Sequence, residues 1–504
     1  MKTWTLLCLL GAAACVRGQD AVFVQGPLTL DSAIRLALER NPQIKVDSFD
    51  TPIARANLLA QWGQFDPALQ FQRSYQTSYS NLGANYAVDP SSGELIQIGA
   101  PQLENVQVEN YSLGVAGLSP WGLQYFVGAN ANELTESVAG QNYPEGYQSF
   151  AGVTVTQPLL RGFGLAANLQ GVRVARANKG IAEWTYRQTV IDTVTNVIDA
   201  YSDLELARDN LRIAEESRQL AANQLAENEQ RFKVGSMSQS DVIQARSQES
   251  SDEEPVLIAR RAVIDSENVL RALLGQPKFS PNAAPLAIAA MPERDEAISP
   301  DADLQRAYDL RPDYQSARLN VRKFQINQAA AFNQLLPQVN FVGGYGYNGL
   351  ANSFQQSRAM VYDHDNRSYS AGLEVSVPFT FAQGRGQYRS ARLQRRQAEA
   401  NLKVLEQAIA LSVSEAAGQV ETTGERIVTA RKAYAVGEQA LEDEQKKLRA
   451  GYSSTFVVLQ LQEEMIALEG RVAQALADHR RAIAAYDHEI GTTLERNHVT
   501  LARE

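Results

Sequence analysis

Between Ala167 and Phe232 the chain contains no proline, and its only glycines are Gly171 and Gly180. Apolar residues recur there at alternating steps of four and three: Val190, Val194, Val197, Tyr201, Leu204 and, further on, Leu211. That spacing is the seam of a helix packed lengthwise against other helices. About 66 residues at 1.5 Å each reach roughly 100 Å, far beyond a globular helix. The seam stops at Phe232-Lys233-Val234-Gly235, and a new apolar pattern starts from Val242 after Ser238. A tight reversal is therefore expected at residues 235–238.

The unit occurs twice. Gly451 closes a second long helix, expected over 386–448. Gly235, Ser238, Val242, Ile243 and Gln244 are answered by Gly451, Ser454, Val458, Leu459 and Gln460. The same 216-residue offset relates Ala175-Arg176 to Ala391-Arg392. Pro42 and Pro67 are answered by Pro312 and Pro337 at an offset of 270. A duplication of this kind decides the fold before any other argument.

Five prolines between 276 and 302 mark the linker between the halves. The first repeat then covers 19–275 and the second 303–491, with a tail at 492–504. Helices are expected over 32–63, 167–232 and 237–274, and over 302–334, 386–448 and 454–490. Asp31 is positioned to cap the first of them. Pro42 should sit in the first turn of a second helical piece within 32–63, and Pro52 and Pro255 fall inside helical patterns and should kink them. The two shorter helices of each repeat, laid end to end, match the length of the long one.

Between the helices the period changes to two. Leu69, Phe71, Tyr75 and Tyr79 alternate with Gln70, Gln72, Ser74, Gln76 and Ser78. Similar strands are expected over 68–80, 107–118, 121–134 and 147–157, and in the second half over 339–348 and 368–378. One face is apolar and the other carries Gly, Ser, Thr, Gln and Asn with few charges. A soluble sandwich would put charges outside. Small neutral polar residues suit a watery lumen, and short turns opposite long loops suit an outer-membrane barrel.

Composition narrows the rest. A net charge of −10 argues against a nucleic-acid partner. Both cysteines, Cys8 and Cys15, lie in the first 18 residues, where Lys2 precedes an apolar run from Trp4 to Val16. Residues 1–18 read as a secretory signal peptide, with lipidation at Cys15 as the alternative. No later stretch holds 18 consecutive apolar residues, so no spanning helix is expected. His364, His479, His488 and His498 stand in no recognisable catalytic spacing, and no phosphate-binding loop occurs. Neither an enzyme, a cofactor nor a metal site is expected; Asp363-His364-Asp365 falls in a predicted external loop.

The duplicated helix–strands–helix plan, the Gln157-Pro158-Leu159-Leu160 strand exit and the two Gly-x-x-Ser turns together resemble the TolC family of outer-membrane channels. The resemblance covers nearly the whole mature chain. It implies an α+β membrane protein: coiled-coil arms form a periplasmic α-barrel, and strands contribute to a trimeric transmembrane β-barrel in outer-membrane lipid. It further implies a homotrimer docked on a periplasmic adaptor (membrane fusion) protein and an inner-membrane pump or secretion ATPase. The chain would be a passive exit duct for efflux or type I secretion. By position, Gly235, Ser236, Met237 and Ser238, with Gly451, Tyr452, Ser453 and Ser454, would form the adaptor-docking tips. Asp241, Val457 and Gln460 would line the tunnel aperture, although the family places acidic residues after the second turn; Asp241 equally suits a helix-start cap. Pro158 and Pro378 mark the strand-to-helix exits. The family's usual four strands per chain become six here, because the first half holds one extra hairpin. Arg385, Arg389, Arg392, Arg395 and Arg396 would lie just below the strands. The competing reading is an exported coiled-coil structural or adhesin protein without channel activity.

Overall fold

The structure, a computed structural model, describes residues 27–82, 85–98, 102–138, 141–142, 144–276, 285–292 and 298–501. The expected signal peptide with Cys15, residues 277–284 and 293–297 of the expected linker, and the last three residues of the tail lie outside the described residues.

The first repeat opens with α1 (Leu30–Arg40), α2 (Pro42–Asp47) and α3 (Asp50–Trp62). The helical stretch expected over 32–63 is found in three pieces, with Pro42 in the first turn of the second as its position predicts. Asn41 ends α1 and caps α2, its Oδ1 accepting from Gln43 N at 2.8 Å, and Pro42 supplies no N–H to continue the first helix. Pro52 sits third in α3, where a backbone N–H has no intrahelical partner, so it starts a helix rather than kinking one. The cap of α1 is Thr29 rather than Asp31. Thr29 Oγ1 accepts from Ser32 N at 3.3 Å and Thr29 N donates to Ser32 Oγ at 2.9 Å.

Seven strands follow: β1 (Ala68–Leu82), β2 (Asn85–Val88), β3 (Leu95–Ile98), β4 (Gln102–Leu118), β5 (Gln124–Val138), β6 (Gln141–Asn142) and β7 (Gly146–Pro158). Then come the short α4 (Leu165–Asn168), the long α5 (Gln170–Lys233), α6 (Gln239–Ser251) and α7 (Glu253–Leu273). The return helix is broken at Asp252, and Pro255 again stands third in the piece that follows. The second repeat has α8 (Pro300–Leu310), α9 (Pro312–Asn333), β8 (Gln338–Ala351), α10 (Phe354–Tyr362), β9 (Asn366–Ser376), α11 (Ala382–Arg449), α12 (Thr455–Ile490) and α13 (Thr493–Arg496). Pro312 divides α8 from α9 as Pro42 divides α1 from α2. The 64 residues of α5 and 68 of α11 make rods of about 96 and 102 Å.

Six long strands form one antiparallel sheet in the order β1-β4-β5-β7-β8-β9. The strand β6 adds to β5, and β2 and β3 make a separate hairpin. Cross-strand pairing fixes the faces. The row Leu69-Val115-Val127-Val153-Tyr345-Tyr369 is apolar, and the next row on the other face, Gln70-Gly114-Gly128-Gly152-Gly346-Ser368, is small and polar. Leu69, Phe71, Tyr369, Leu373 and Val375 are all exposed in the single chain.

The core lies below the sheet, in two clusters partway along the rods. On α5, Val190, Val194, Val197, Tyr201 and Leu204 are buried against Ile34 and Ala37 of α1 and Leu270 of α7. On α11, Ile409, Val413, Ala417 and Val420 meet Ile483, Tyr486 and Ile490 of α12 and Ala307 of α8. Each buried valine, leucine or isoleucine among them contributes about 1.5–3 kcal/mol. In the first repeat α7 meets the end of α1, and in the second α12 meets the end of α8. Gly275 (φ +65°) and Gly491 (φ +81°) make these joints: a Cβ would stand 2.3 Å from Arg40 O in the first and 3.1 Å from the Leu310 carbonyl carbon in the second.

Candidate functional site

Three levels of the molecule carry candidate residues: the sheet, the mid-height joints and the helix tips. In the sheet, the charges on the apolar face keep to one height. Glu109, Glu133 and Arg367 each stand nine residues from the helix-proximal end of their strands, at Leu118, Gln124 and Ser376. Below them lie Leu113, Val115, Ala129, Val127, Leu373 and Val375. Arg73 is the exception; its Nη2 is 3.1 Å from Glu109 and its guanidinium lies 5.4 Å from the Tyr111 ring centre. Nine residues at about 3.3 Å, tilted by about 40°, rise roughly 23 Å, close to the ~25 Å apolar band of a membrane barrel. The opposite face is not wholly polar: Phe126 lies over Gly114 and Gly128, and Phe150 over Gly152 and Gly346.

The strand exits differ. Pro158 is the last residue of β7, and the chain beyond it stays on the sheet, with Leu159 N donating to Val339 O at 2.7 Å. Pro378 follows the end of β9, next to a fully exposed Phe379. In the first turns of α11, Arg385, Arg389, Arg392 and Arg396 fall on one exposed stripe. Among the described residues these four make no ion pair, whereas Arg395 Nε binds Glu399 at 2.8 Å.

The joints hold charges that the chain order conceals. Arg311, between α8 and α9, binds Asp313 through two nitrogens at 3.1 and 2.8 Å. It also contacts the Glu489 carboxylate and donates to the Glu489 carbonyl at 2.9 Å. Ser412 Oγ donates to Glu489 Oε2 at 2.6 Å. His488 Nε2 lies 2.9 Å from Asp192 Oδ1, and Nδ1 lies 3.4 Å from Glu489 Oε1. The hydrogen bonds with Asp192 and then Glu489 raise the imidazole to about 9. The bond from His488, with those from Ser412 and Arg311, lowers Glu489 to about 2. Asp199, two turns farther down α5, is pushed up to about 6 by burial and by Asp203. Asp192 and His488 are 296 residues apart, so no local pattern pointed to them.

The tips end alike. Gly235 (φ +75°) and Gly451 (φ +80°) take the left-handed conformation. Gly235 N donates to Phe232 O and Ser236 N to Arg231 O, both at 2.9 Å; Gly451 N donates to Leu448 O at 3.1 Å and Tyr452 N to Lys447 O at 2.9 Å. These bonds satisfy the last carbonyls of each rod, and glycine meets the required φ without a Cβ penalty. The return helices start differently. Ser238 Oγ accepts from Asp241 N at 3.2 Å, and Asp241 Oδ2 accepts from Ser238 N at 3.2 Å and Oγ at 2.6 Å. Met237, half-buried, separates this box from the turn. Ser454 heads α12 with no side-chain cap bond, and Val457, standing where Asp241 stands in the first copy, offers no carboxylate to complete a capping box. Ser453 Oγ donates instead to Glu444 Oε1 at 2.6 Å. Val234 and Tyr452 are 79% and 87% exposed.

Both turns lie at one end of the molecule. Antiparallel contacts between α5 and α12, Asp192–His488, Asp203–Arg481 and Arg212–Glu469, keep the two hairpins in step. Val457 and Gln460 are exposed and Asp241 is half-buried. Among the described residues no hydrogen bond joins Asp241 to Val457 or Gln460, so a single chain does not assemble the three. His364 packs edge-on against Tyr347, ring centres 4.3 Å apart, and among the described residues no cluster of three metal-ligating side chains occurs.

Residues 116–276 and 304–486 match the family described as outer membrane efflux protein. The chain belongs to the outer membrane efflux protein family. Outer membrane efflux protein BepC of Brucella suis biovar 1 (strain 1330) is 23% identical over 340 residues, covering 66% of this chain and 70% of that one. Proteases secretion protein PrtF of Dickeya chrysanthemi is 24% identical over 284 residues, covering 54% and 57%. The solved outer membrane protein VceC of Vibrio cholerae shares the fold, with a TM-score of 0.63 at 17% identity over 92% of this chain and 96% of that one. As an efflux-family member, the chain is an outer-membrane exit duct that extends into the periplasm, a channel protein and not an enzyme.

Proposed function

We propose that three copies close into one ring, the apolar sheet face in lipid and the small polar face around water. The observation that carries this reading is the open sheet. Its edges, β1 and β9, run antiparallel and have no partner among the described residues. Unpaired backbone is not tolerated in lipid, and six strands fall short of about eight, the smallest membrane barrel. Joining β9 of each copy to β1 of the next closes a head-to-tail ring of 18 strands, wider than a twelve-stranded wall. The rods then hang as staves of a periplasmic tunnel, and Arg385, Arg389, Arg392 and Arg396 lie just under the inner leaflet.

The duct has no chemistry of its own; transport energy comes from an inner-membrane pump or secretion ATPase through a periplasmic adaptor. The exposed Val234 and Tyr452, beside Ser236 and Ser453, suit docking of that adaptor at the tips. In a ring of three, Asp241, Val457 and Gln460 of neighbouring copies face one aperture, whose acidic charge comes from the first hairpin alone. The names of its relatives, a protease secretion protein and an efflux protein, support both substrate classes. A lipid on Cys15 would add an anchor.

Planar-bilayer recording of the purified protein tests the duct, with large water-filled conductances as the expected result; a silent, correctly folded trimer would sink it. Native mass spectrometry should give a mass of three chains. Recovery of the protein in the soluble periplasm would favour the scaffold or adhesin reading. Photo-crosslinkers at Ser236 and Ser453 should capture an adaptor, and capture only by positions far from the tips would refute the docking assignment.

A further inference from the structure

Residues 354–362, which lie in a region expected to be an external loop, fold into α10 and lie back on the apolar face of the sheet. Ser353 caps the helix, its Oγ accepting from Gln356 N at 3.4 Å. Ser357 is fully buried, and its Oγ lies 2.9 Å from both Ser149 Oγ and Gly349 O. The approach is so close that a Cβ on Gly349 would stand 1.8 Å from the Ser357 carbonyl oxygen. Ser357, Met360 and Val361, at spacings of three and four, form the sheet-facing side. The helix covers β7 and β8, in the middle of the sheet, so it masks neither edge.

Its height is defined by the strand it touches. Ser149 stands nine residues from the Pro158 end of β7, the same count that locates Glu109, Glu133 and Arg367 on their strands. The helix therefore lies where apolar side chains give way to charged ones. Phe354, Arg358 and Tyr362 follow at steps of four and share one exposed stripe beside the sheet-facing side. Phe354 and Tyr362 are 49% and 80% exposed. Among the described residues Arg358 makes no ion pair. Asp363 follows in the next turn and falls off the stripe.

We propose that α10 is an in-plane anchor in the outer leaflet, with Phe354 and Tyr362 seated at the headgroup boundary and Arg358 on lipid phosphate. Aromatic rings with one wet end favour that boundary, and a cation there gains from anionic headgroups. The occupant is the lipid surface rather than a protein, because the stripe lies at the rim of the apolar band. The inference rests on the barrel reading of the sheet.

Nitroxide labels at Phe354→Cys, Tyr362→Cys, Leu113→Cys and Ser91→Cys test both. The assembled full-length protein is placed in vesicles of phosphatidylcholine and phosphatidylglycerol, and each label's accessibility to oxygen and to a nickel chelate is measured. Leu113 should read as hydrocarbon, Phe354 and Tyr362 as headgroup depth, and Ser91 as water. Labels 354 and 362 both matching Ser91 while Leu113 reads as hydrocarbon would overturn the anchor. Leu113 matching Ser91 would instead overturn the barrel wall. In the same vesicles Arg358→Ala should lower retention of phosphatidylglycerol roughly fivefold, with Arg358→Lys restoring it; unchanged retention would remove the phosphate contact.

Discussion

At mid-height the first repeat joins its stacked helices through one amide, Asn41 Nδ2 donating to Leu273 O at 3.1 Å. The second joins them through Arg311, with Asp313, Glu489 and Ser412 around it. At the tips the roles reverse: the first hairpin has the reciprocal Ser238–Asp241 cap, and the second has Ser454 facing Val457. The backbones nevertheless agree, down to four glycine-terminated helices and two proline-started ones at constant offsets. Duplication has kept the residues that set main-chain geometry and released those that only add to it. The main chain decides whether staves of equal length can form; side chains then tune each stave separately.

Four measurements test that contrast. Gly275→Ala should be the most damaging, costing ~3 kcal/mol or more, because strain at positive φ adds to a collision with Arg40 O; Gly491→Ala should cost ~1–2 kcal/mol. Equal losses in denaturant titration of the assembled protein would contradict the unequal clearances. Next, Arg311→Met should cost ~2–4 kcal/mol, since Glu489 and Asp313 lose a half-buried partner, against ~1 kcal/mol for Asn41→Ala. A larger loss at Asn41 would reverse our ranking of the joints.

The third is a pH test of the second joint. His488 is raised above its unfolded value of 6.5 to about 9, so its contribution is complete below about 6.5 and is lost as pH rises through about 9. Glu489 is lowered from 4.5 to about 2, so its contribution is present above about 4.5 and is lost as pH falls through about 2. His488→Gln should therefore destabilise by ~1–2 kcal/mol near about pH 6 and by much less near about pH 10. A pH-independent deficit would show that the imidazole acts by packing alone. Smallest are the caps: Asp241→Ala should cost ~0.5–1 kcal/mol, and Val457→Asp should gain a few tenths by giving Ser454 its missing partner. Hydrogen exchange at the two tips reads both, and a Val457→Asp tip that exchanges faster would refute the cap.

Proline-free length and a four-three seam made the rods legible, because coiled-coil packing leaves a regular trace over dozens of residues. The alternation from Leu69 to Tyr79 was equally readable, since each strand face meets one solvent. Helix breaks were legible at Pro42 but not elsewhere. Pro52 and Pro255 looked like kinks because sequence places a proline in a helix without saying which turn it occupies. The α10 helix left a fainter trace: Ser357, Met360 and Val361 have helical spacing, yet its seat on Gly349 and Ser149 is a contact between distant residues. The same holds for His488, whose partner Asp192 lies in the other repeat. As for the aperture, the position of Asp241 suggested both a cap and a lining residue; the single chain displays the cap, and only a ring of three could display the lining.

In the proposed ring of three, every copy supplies both a β1 edge and a β9 edge, so one subunit faulty at either edge would leave the ring open. A variant that pairs at one edge and fails at the other can still join, and would therefore poison sound copies made beside it. At equal synthesis, sound rings should fall to about one eighth, the cube of one half, rather than to one half.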